Sequence, residues 1–139
     1  MMDNQLRQVV KPNLVLSAYS IFLRCIAVIA LLFAIFYWIR LVGVFPGELW
    51  RIDRMPWLWQ VLTVVLSVIY PIAALGLWMG SLWGIILWFF AALTESLAFT
   101  LYSANFVFFP SLAVFHFLIL LLFIMMQVLL HLKTNKKLL

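Results

Sequence analysis

Four long apolar stretches limit what this sequence can fold into more than any other feature. An α-helix needs about 20 apolar residues to cross the roughly 30 Å hydrocarbon core of a bilayer. The stretches meet that requirement at about residues 17–42, 57–79, 84–103 and 110–132. The sequence therefore predicts an all-α membrane protein with four transmembrane helices in an antiparallel up-down bundle.

The composition also favours a membrane environment. Of the 139 residues, 68% are hydrophobic and only 9% are charged, whereas a soluble domain carries roughly 25% charged residues. The net charge of +5 does not indicate nucleic-acid binding, because the basic residues flank the apolar stretches and form no amphipathic basic element. We expect the lipid bilayer to cover most of the surface, and we expect no nucleic-acid partner.

Nothing in the sequence predicts an enzyme, a metal site or a cofactor. Cys25 is the only cysteine, so the chain cannot form an internal disulfide or a paired-thiolate site. His116 and His131 lie fifteen residues apart on one predicted helix, about 22 Å along its axis, so they cannot both bind one metal or haem within a chain. Hydrolase and phosphate-binding motifs are missing as well. We therefore predict no catalytic residues.

Basic residues predict how the chain is oriented. Lys and Arg are retained on the cytoplasmic side of a membrane. With both termini inside, six basic residues lie on the cytoplasmic side and three on the other side. The first group is Arg7, Lys11, Arg24, Lys133, Lys136 and Lys137, and the second is Arg40, Arg51 and Arg54. We predict a bacterial inner-membrane protein with cytoplasmic tails at residues 1–16 and 133–139.

The segment between the first two spans, residues 43–56, is the longest polar connection. It carries two acidic and two basic residues, namely Glu48, Arg51, Asp53 and Arg54. One interpretation is a set of periplasmic loop contacts for a partner protein. The other is a solvated loop whose opposite charges neutralise one another.

Gly76, Gly80 and Gly84 recur at intervals of four between the second and third spans. Small residues at this spacing allow two helices to pack closely in a membrane. The same glycines could instead make the short turn of a helical hairpin. The sequence leaves both interpretations open.

Glu95, near the middle of the third span, is the most informative polar residue. A carboxylate near the bilayer centre costs several kcal/mol and normally faces a partner or a cavity. His116 follows Pro110 by six residues and lies at a similar depth on the neighbouring span. We predict an intramembrane polar pair of Glu95 and His116. The pair could hold helices together, contact another subunit or form a titrating site.

Two segments carry a resemblance to a known family. They are YWIRLVGVFPGELWRIDRMPWLWQ at residues 37–60 and PIAALGLWMGSLWGIILW at residues 71–88. Together they resemble a family of small uncharacterised inner-membrane proteins of alphaproteobacteria. The resemblance implies a four-span membrane protein of unknown function and brings no catalytic residues.

These observations support three functional hypotheses. The first is an accessory or assembly subunit of a bacterial inner-membrane complex, acting through helix packing with a membrane-protein partner or as a homo-oligomer. The alternative is a small proton-coupled transporter that works as a homodimer, with Glu95 as the titrating group. A weaker hypothesis is a membrane enzyme or quinone-binding subunit, suggested by the seven tryptophans with Tyr102 and His116.

Overall fold

A computed structural model describes residues 14–48, 50–100 and 110–138 of the chain. Its order of elements is α1 (Leu14–Val42), α2 (Trp57–Trp78), α3 (Leu82–Thr100) and α4 (Pro110–Leu138). The described residues contain no β-strand, which confirms the all-α prediction. Leu49 and residues 101–109, including Tyr102, lie outside the described part.

Each of the four helices is long and apolar enough to cross a membrane. In α4 the segment with this property is Ser111–Lys133, which leaves a polar end of the helix beyond it. Four such helices suggest a multi-pass membrane protein.

Helices α1 and α4 extend beyond the predicted first and fourth spans, towards the two ends of the chain. Helix α1 begins at Leu14 and α4 continues to Leu138, so the predicted tails 1–16 and 133–139 both contain helical residues. The prediction placed the ends where hydropathy falls. A helix instead continues as long as its backbone hydrogen bonds continue, and lysine is compatible with that conformation.

The helix ends on either side of the α2–α3 turn differ from the prediction by one or two residues. Helix α2 ends at Trp78 rather than residue 79, and α3 begins at Leu82 rather than residue 84. The predicted end of the third span, at residue 103, falls outside the described residues.

The buried face of each helix explains how the bundle packs. On α1 the buried residues Ala27, Ala30, Ala34 and Tyr37 recur every three or four positions, as one face of an α-helix requires. Helices α2 and α3 also present alanines to the core, and these let the helix backbones approach closely. Helix α2 packs against α1 and α3, whereas α4 packs mainly against α3. The large apolar side chains mostly face away from the bundle.

The turn between α2 and α3 is closed by backbone hydrogen bonds. Ser81 N–H donates to the carbonyl of Gly76 at 2.8 Å, and Gly80 N–H donates to the carbonyl of Leu77 at 3.1 Å. Gly80 has a φ of +70°, the left-handed conformation that this type of helix end requires. Gly80 is therefore the turn residue.

Gly76 and Gly84 form a close contact between α2 and α3. A Cβ atom on Gly76 would lie 2.4 Å from the Cα of Gly84, and one on Gly84 would lie 2.3 Å from the carbonyl carbon of Gly76. Gly80 has no such neighbour within 4 Å. Of the two interpretations that the sequence left open, the turn therefore applies to Gly80, and close packing applies to Gly76 and Gly84.

We predict that Gly76→Ala lowers the free energy of unfolding by about 1 to 3 kcal/mol, because the new methyl group would overlap the backbone of α3. Leu75→Ala is a matched control, since Leu75 is on the same helix and its side chain is exposed. Unfolding in mild detergent, followed by circular dichroism, measures both variants. Equal stability of the two variants would contradict the close contact.

Candidate functional site

Glu95 lies at the centre of the bundle and contacts one polar side chain from each of the other three helices. Only 1% of the Glu95 surface is exposed. Tyr37 on α1 donates a hydrogen bond to Oε1, and Tyr70 on α2 donates one to Oε2. His116 Nε2 on α4 lies 2.9 Å from Oε2. We call these four residues the Glu95 cluster.

Helical periodicity brings the members of the cluster together. Glu95 follows Trp88, Ala91 and Ala92 on the buried face of α3. Tyr37 and Tyr70 occupy equivalent buried positions on α1 and α2. Each side chain therefore points to the bundle centre because its neighbours on the same face are buried.

The hydrogen bonds offset the cost of burying a carboxylate. An ionised group without partners in an apolar interior is strongly unfavourable, and hydrogen bonds to charged groups contribute about 1.5 to 3 kcal/mol each. Here the two oxygens of Glu95 have three partners. Both oxygens of the Glu95 carboxylate thus have hydrogen-bond partners within one chain.

The structure brings Glu95 and His116 together, as the sequence suggested, and adds two tyrosines that sequence reasoning missed. Tyrosine is common at the membrane boundary, where its hydroxyl meets water, so neither Tyr37 nor Tyr70 suggested a buried partner for Glu95. A weak signal was available, since Tyr70 lies in the charge-free interior of the second apolar stretch.

His116 is held by aromatic rings and retains one unpaired nitrogen. The residue is 4% exposed, and its ring centroid lies 5.5 Å from that of Phe33 and 6.3 Å from that of Trp88. Its Nδ1 atom is buried and has no hydrogen-bond partner among the described residues. His116 therefore keeps one ring nitrogen free for a further hydrogen bond while Nε2 contacts Glu95.

Two cavities reach the Glu95 cluster from different sides. The large cavity has a volume of about 620 Å³ and is lined mainly by α1, with further residues from α3 and α4, and the side chains of Glu95 and Arg40 lie in its wall. The small cavity has a volume of about 210 Å³, lies between α3 and α4, and is lined in part by His116 and Ser96. The contact between His116 and Glu95 therefore connects one cavity to the other.

Arg40 lies in a cage of aromatic rings at one end of the large cavity. Its guanidinium carbon is 4.6 Å from the ring centroid of Phe36, 5.1 Å from that of Trp50 and 5.3 Å from that of Trp59. Rings at these distances attract a cation. The Nε and Nη1 atoms are buried without a hydrogen-bond partner in the described part of the chain.

The charged loop between α1 and α2 forms an internal ion pair. Arg51 Nη2 lies 3.0 Å from Asp53 Oδ2, and Arg51 Nε donates to Oδ1 at 3.1 Å. These hydrogen bonds lower the pKa of Asp53 below its usual range. Glu48 and Arg54 are exposed. Two of the four charges thus neutralise each other within the loop, and partner contacts there remain a prediction.

The arrangement suits proton exchange better than metal binding. Among the described residues, no group of three or more His, Cys, Asp or Glu side chains could hold a metal ion. The Glu95 cluster offers two titratable groups in contact and two hydroxyl donors. These groups can hold and move protons.

Comparison with known proteins gives one family match. The model of a family of unknown function, DUF6163, matches residues 17–134. No curated protein and no solved structure shows significant similarity to the chain.

We predict that Glu95→Leu lowers the free energy of unfolding by more than about 2 kcal/mol, because it leaves two buried hydroxyls and an imidazole without their acceptor. Glu95→Gln, which keeps an acceptor oxygen, should cost less. Thr94→Ala is the control, since the hydroxyl of Thr94 donates to Phe90 O within its own helix. Thermal unfolding in detergent compares the three variants. A Glu95→Leu protein as stable as Thr94→Ala would refute the stabilising role of the Glu95 cluster.

Proposed function

We propose that this chain, which belongs to the DUF6163 family of unknown function, is a small proton-coupled membrane transporter with Glu95 as its titrating group. The observation that carries the proposal is the 2.9 Å contact between His116 and Glu95, with His116 lining one cavity and Glu95 lining the other. Proton transport needs a path of titratable groups, and the contact between these two residues joins the two cavities.

The chemistry of imidazole supports a proton relay through this contact. With its hydrogen on Nε2, His116 donates to Glu95 and leaves Nδ1 as an acceptor. A proton that arrives at Nδ1 from the small cavity makes an imidazolium ion. The Nε2 proton then passes to Oε2 of Glu95, which leaves neutral His116 and a neutral carboxylic acid facing the large cavity.

The tyrosine contacts couple the protonation of Glu95 to helix packing. Tyr37 and Tyr70 donate to the two oxygens of Glu95, and hydrogen bonds to an ionised carboxylate are about twice as strong as neutral ones. Protonation therefore weakens the contacts of α3 with α1 and α2. A difference in interaction energy between two protonation states is what allows a proton to shift a conformational equilibrium.

The proposed transporter spans the bilayer four times as an antiparallel up-down bundle. Two contacts support an antiparallel arrangement of the first two helices. Arg24, in the first half of α1, lies over Trp78 at the end of α2, and Arg40, near the end of α1, lies over Trp59 at the start of α2. A bacterial inner-membrane location with cytoplasmic termini, an alphaproteobacterial origin and a homodimeric state complete the proposal. The first two rest on the distribution of basic residues and on sequence resemblance.

Infrared difference spectroscopy of the protein in liposomes tests the titration of Glu95 directly. We expect a carboxylic-acid carbonyl band whose intensity changes with pH in the wild type and which is missing in Glu95→Gln. The band should persist in Thr94→Ala. A spectrum with no Glu95-dependent band change would show that the carboxyl does not titrate and would refute the proposal.

Proton flux into liposomes under an imposed pH gradient tests transport itself. We expect flux in the wild type and in Thr94→Ala, and none in Glu95→Gln. His116→Gln should reduce the flux because it removes the imidazole relay. Equal flux in Glu95→Gln and the wild type would rule out the assigned role.

An accessory or assembly subunit is a second candidate, favoured by the exposure of α4. This helix is the least buried of the four, and it presents Leu118, Leu121, Leu122 and Met125 at its surface. A membrane-protein partner, or a second copy of this chain, would cover that face through helix packing.

Copurification from native membranes, followed by mass spectrometry, tests the second candidate. Leu118→Trp on α4 should remove the partner, whereas Val68→Trp on α2 should retain it. The two residues are matched, being 54% and 53% exposed. Recovery of the chain without a partner, or equal recovery of the partner with both variants, would contradict this candidate.

A further inference from the structure

We infer that the large cavity binds a membrane phospholipid, with one acyl chain among the apolar side chains and the phosphate at Arg40. This inference is independent of proton transport, because it needs only the cavity and its cation. Three properties of the cavity carry it, namely its lining, the unpaired hydrogen-bond donors of Arg40 and its direction.

The lining of the large cavity fits an acyl chain. Its wall is formed largely by aromatic and aliphatic side chains, among them Leu32, Phe33, Leu112 and Phe115. The volume of about 620 Å³ lies within the range of roughly 300 to 1,000 Å³ that is common for small-molecule sites. An acyl chain can exchange its contacts with neighbouring lipid tails for contacts with these side chains.

Arg40 gives the cavity a positive charge with unused hydrogen-bonding capacity. Its Nε and Nη1 atoms have no acceptor in the residues that the structure describes. Glu95 attracts the guanidinium electrostatically, but its oxygens are hydrogen-bonded to Tyr37, Tyr70 and His116. A phosphate would supply an anionic acceptor, for which the guanidinium is well suited.

The direction of the cavity matches that of a lipid in a bilayer. It extends from Arg40 to Ile29 along α1, eleven residues or about 16 Å of helix. Trp50 and Trp59 lie at the Arg40 end, and indole rings favour the headgroup boundary. The cavity runs along α1 and is completed by residues of α3 and α4. Helix α1 packs less extensively against α4 than against α2, so a lipid can enter between α1 and α4.

Native mass spectrometry of the protein purified in mild detergent, with analysis of the extracted lipid, tests the inference. We expect about one phospholipid per chain in the wild type and at least a tenfold loss of bound lipid in Arg40→Gln, roughly what one charged hydrogen bond contributes. Arg40→Lys should retain the lipid because it keeps the charge. Arg24→Gln is the matched control, since Arg24 lies over Trp78 and outside the cavity wall.

A second variant keeps the test decisive if Arg40→Gln does not fold. Leu112→Trp places a larger ring in the cavity wall and leaves the polar contacts of Glu95 in place, so it should also lower the amount of bound lipid. A wild-type protein without phospholipid, or one that holds only free fatty acid, would overturn the inference. Equal lipid content in folded Leu112→Trp and Arg24→Gln would overturn it too.

Discussion

The carboxylate of Glu95 joins all four helices of this protein at one point. Its hydrogen bonds reach Tyr37 on α1, Tyr70 on α2 and His116 on α4. In an apolar interior no water can replace a lost partner, so the rotation of each helix about its own axis is constrained by this one side chain. Apolar packing alone would allow several rotations of similar energy. The cluster therefore selects one arrangement of the bundle, and the two cavities are defined by that arrangement.

Small residues allow the helices to pack closely around the Glu95 cluster. Alanines on the buried faces of α1, α2 and α3 bring the helices close, and the approach of Gly76 to Gly84 is closer than any side chain would permit. Close packing draws its energy from many weak contacts. The polar cluster contributes specificity, whereas the small residues contribute contact area.

The sequence predicted the number of helices and their class, because long apolar stretches of this kind have few other stable conformations. It also placed Glu95 and His116 at similar depth, since both positions follow from the helical rise. It did not predict the roles of Tyr37 and Tyr70, because periodicity does not say which buried face meets which. The aromatic cage around Arg40 was not predicted for the same reason, since it combines Phe36 of α1, Trp50 of the loop and Trp59 of α2. Such sites depend on tertiary contacts that cannot be read from a single sequence.

The glycine contact between α2 and α3 has a mechanical consequence. Two helices whose backbones touch and whose turn is locked by hydrogen bonds can neither slide nor swivel past each other without breaking both features. We expect α2 and α3 to move together as one rigid unit. Helices α1 and α4 are each joined to that pair through a longer stretch of chain. Because α1 also packs extensively against α2, movement within the bundle is expected mainly at α4, the least buried of the four helices.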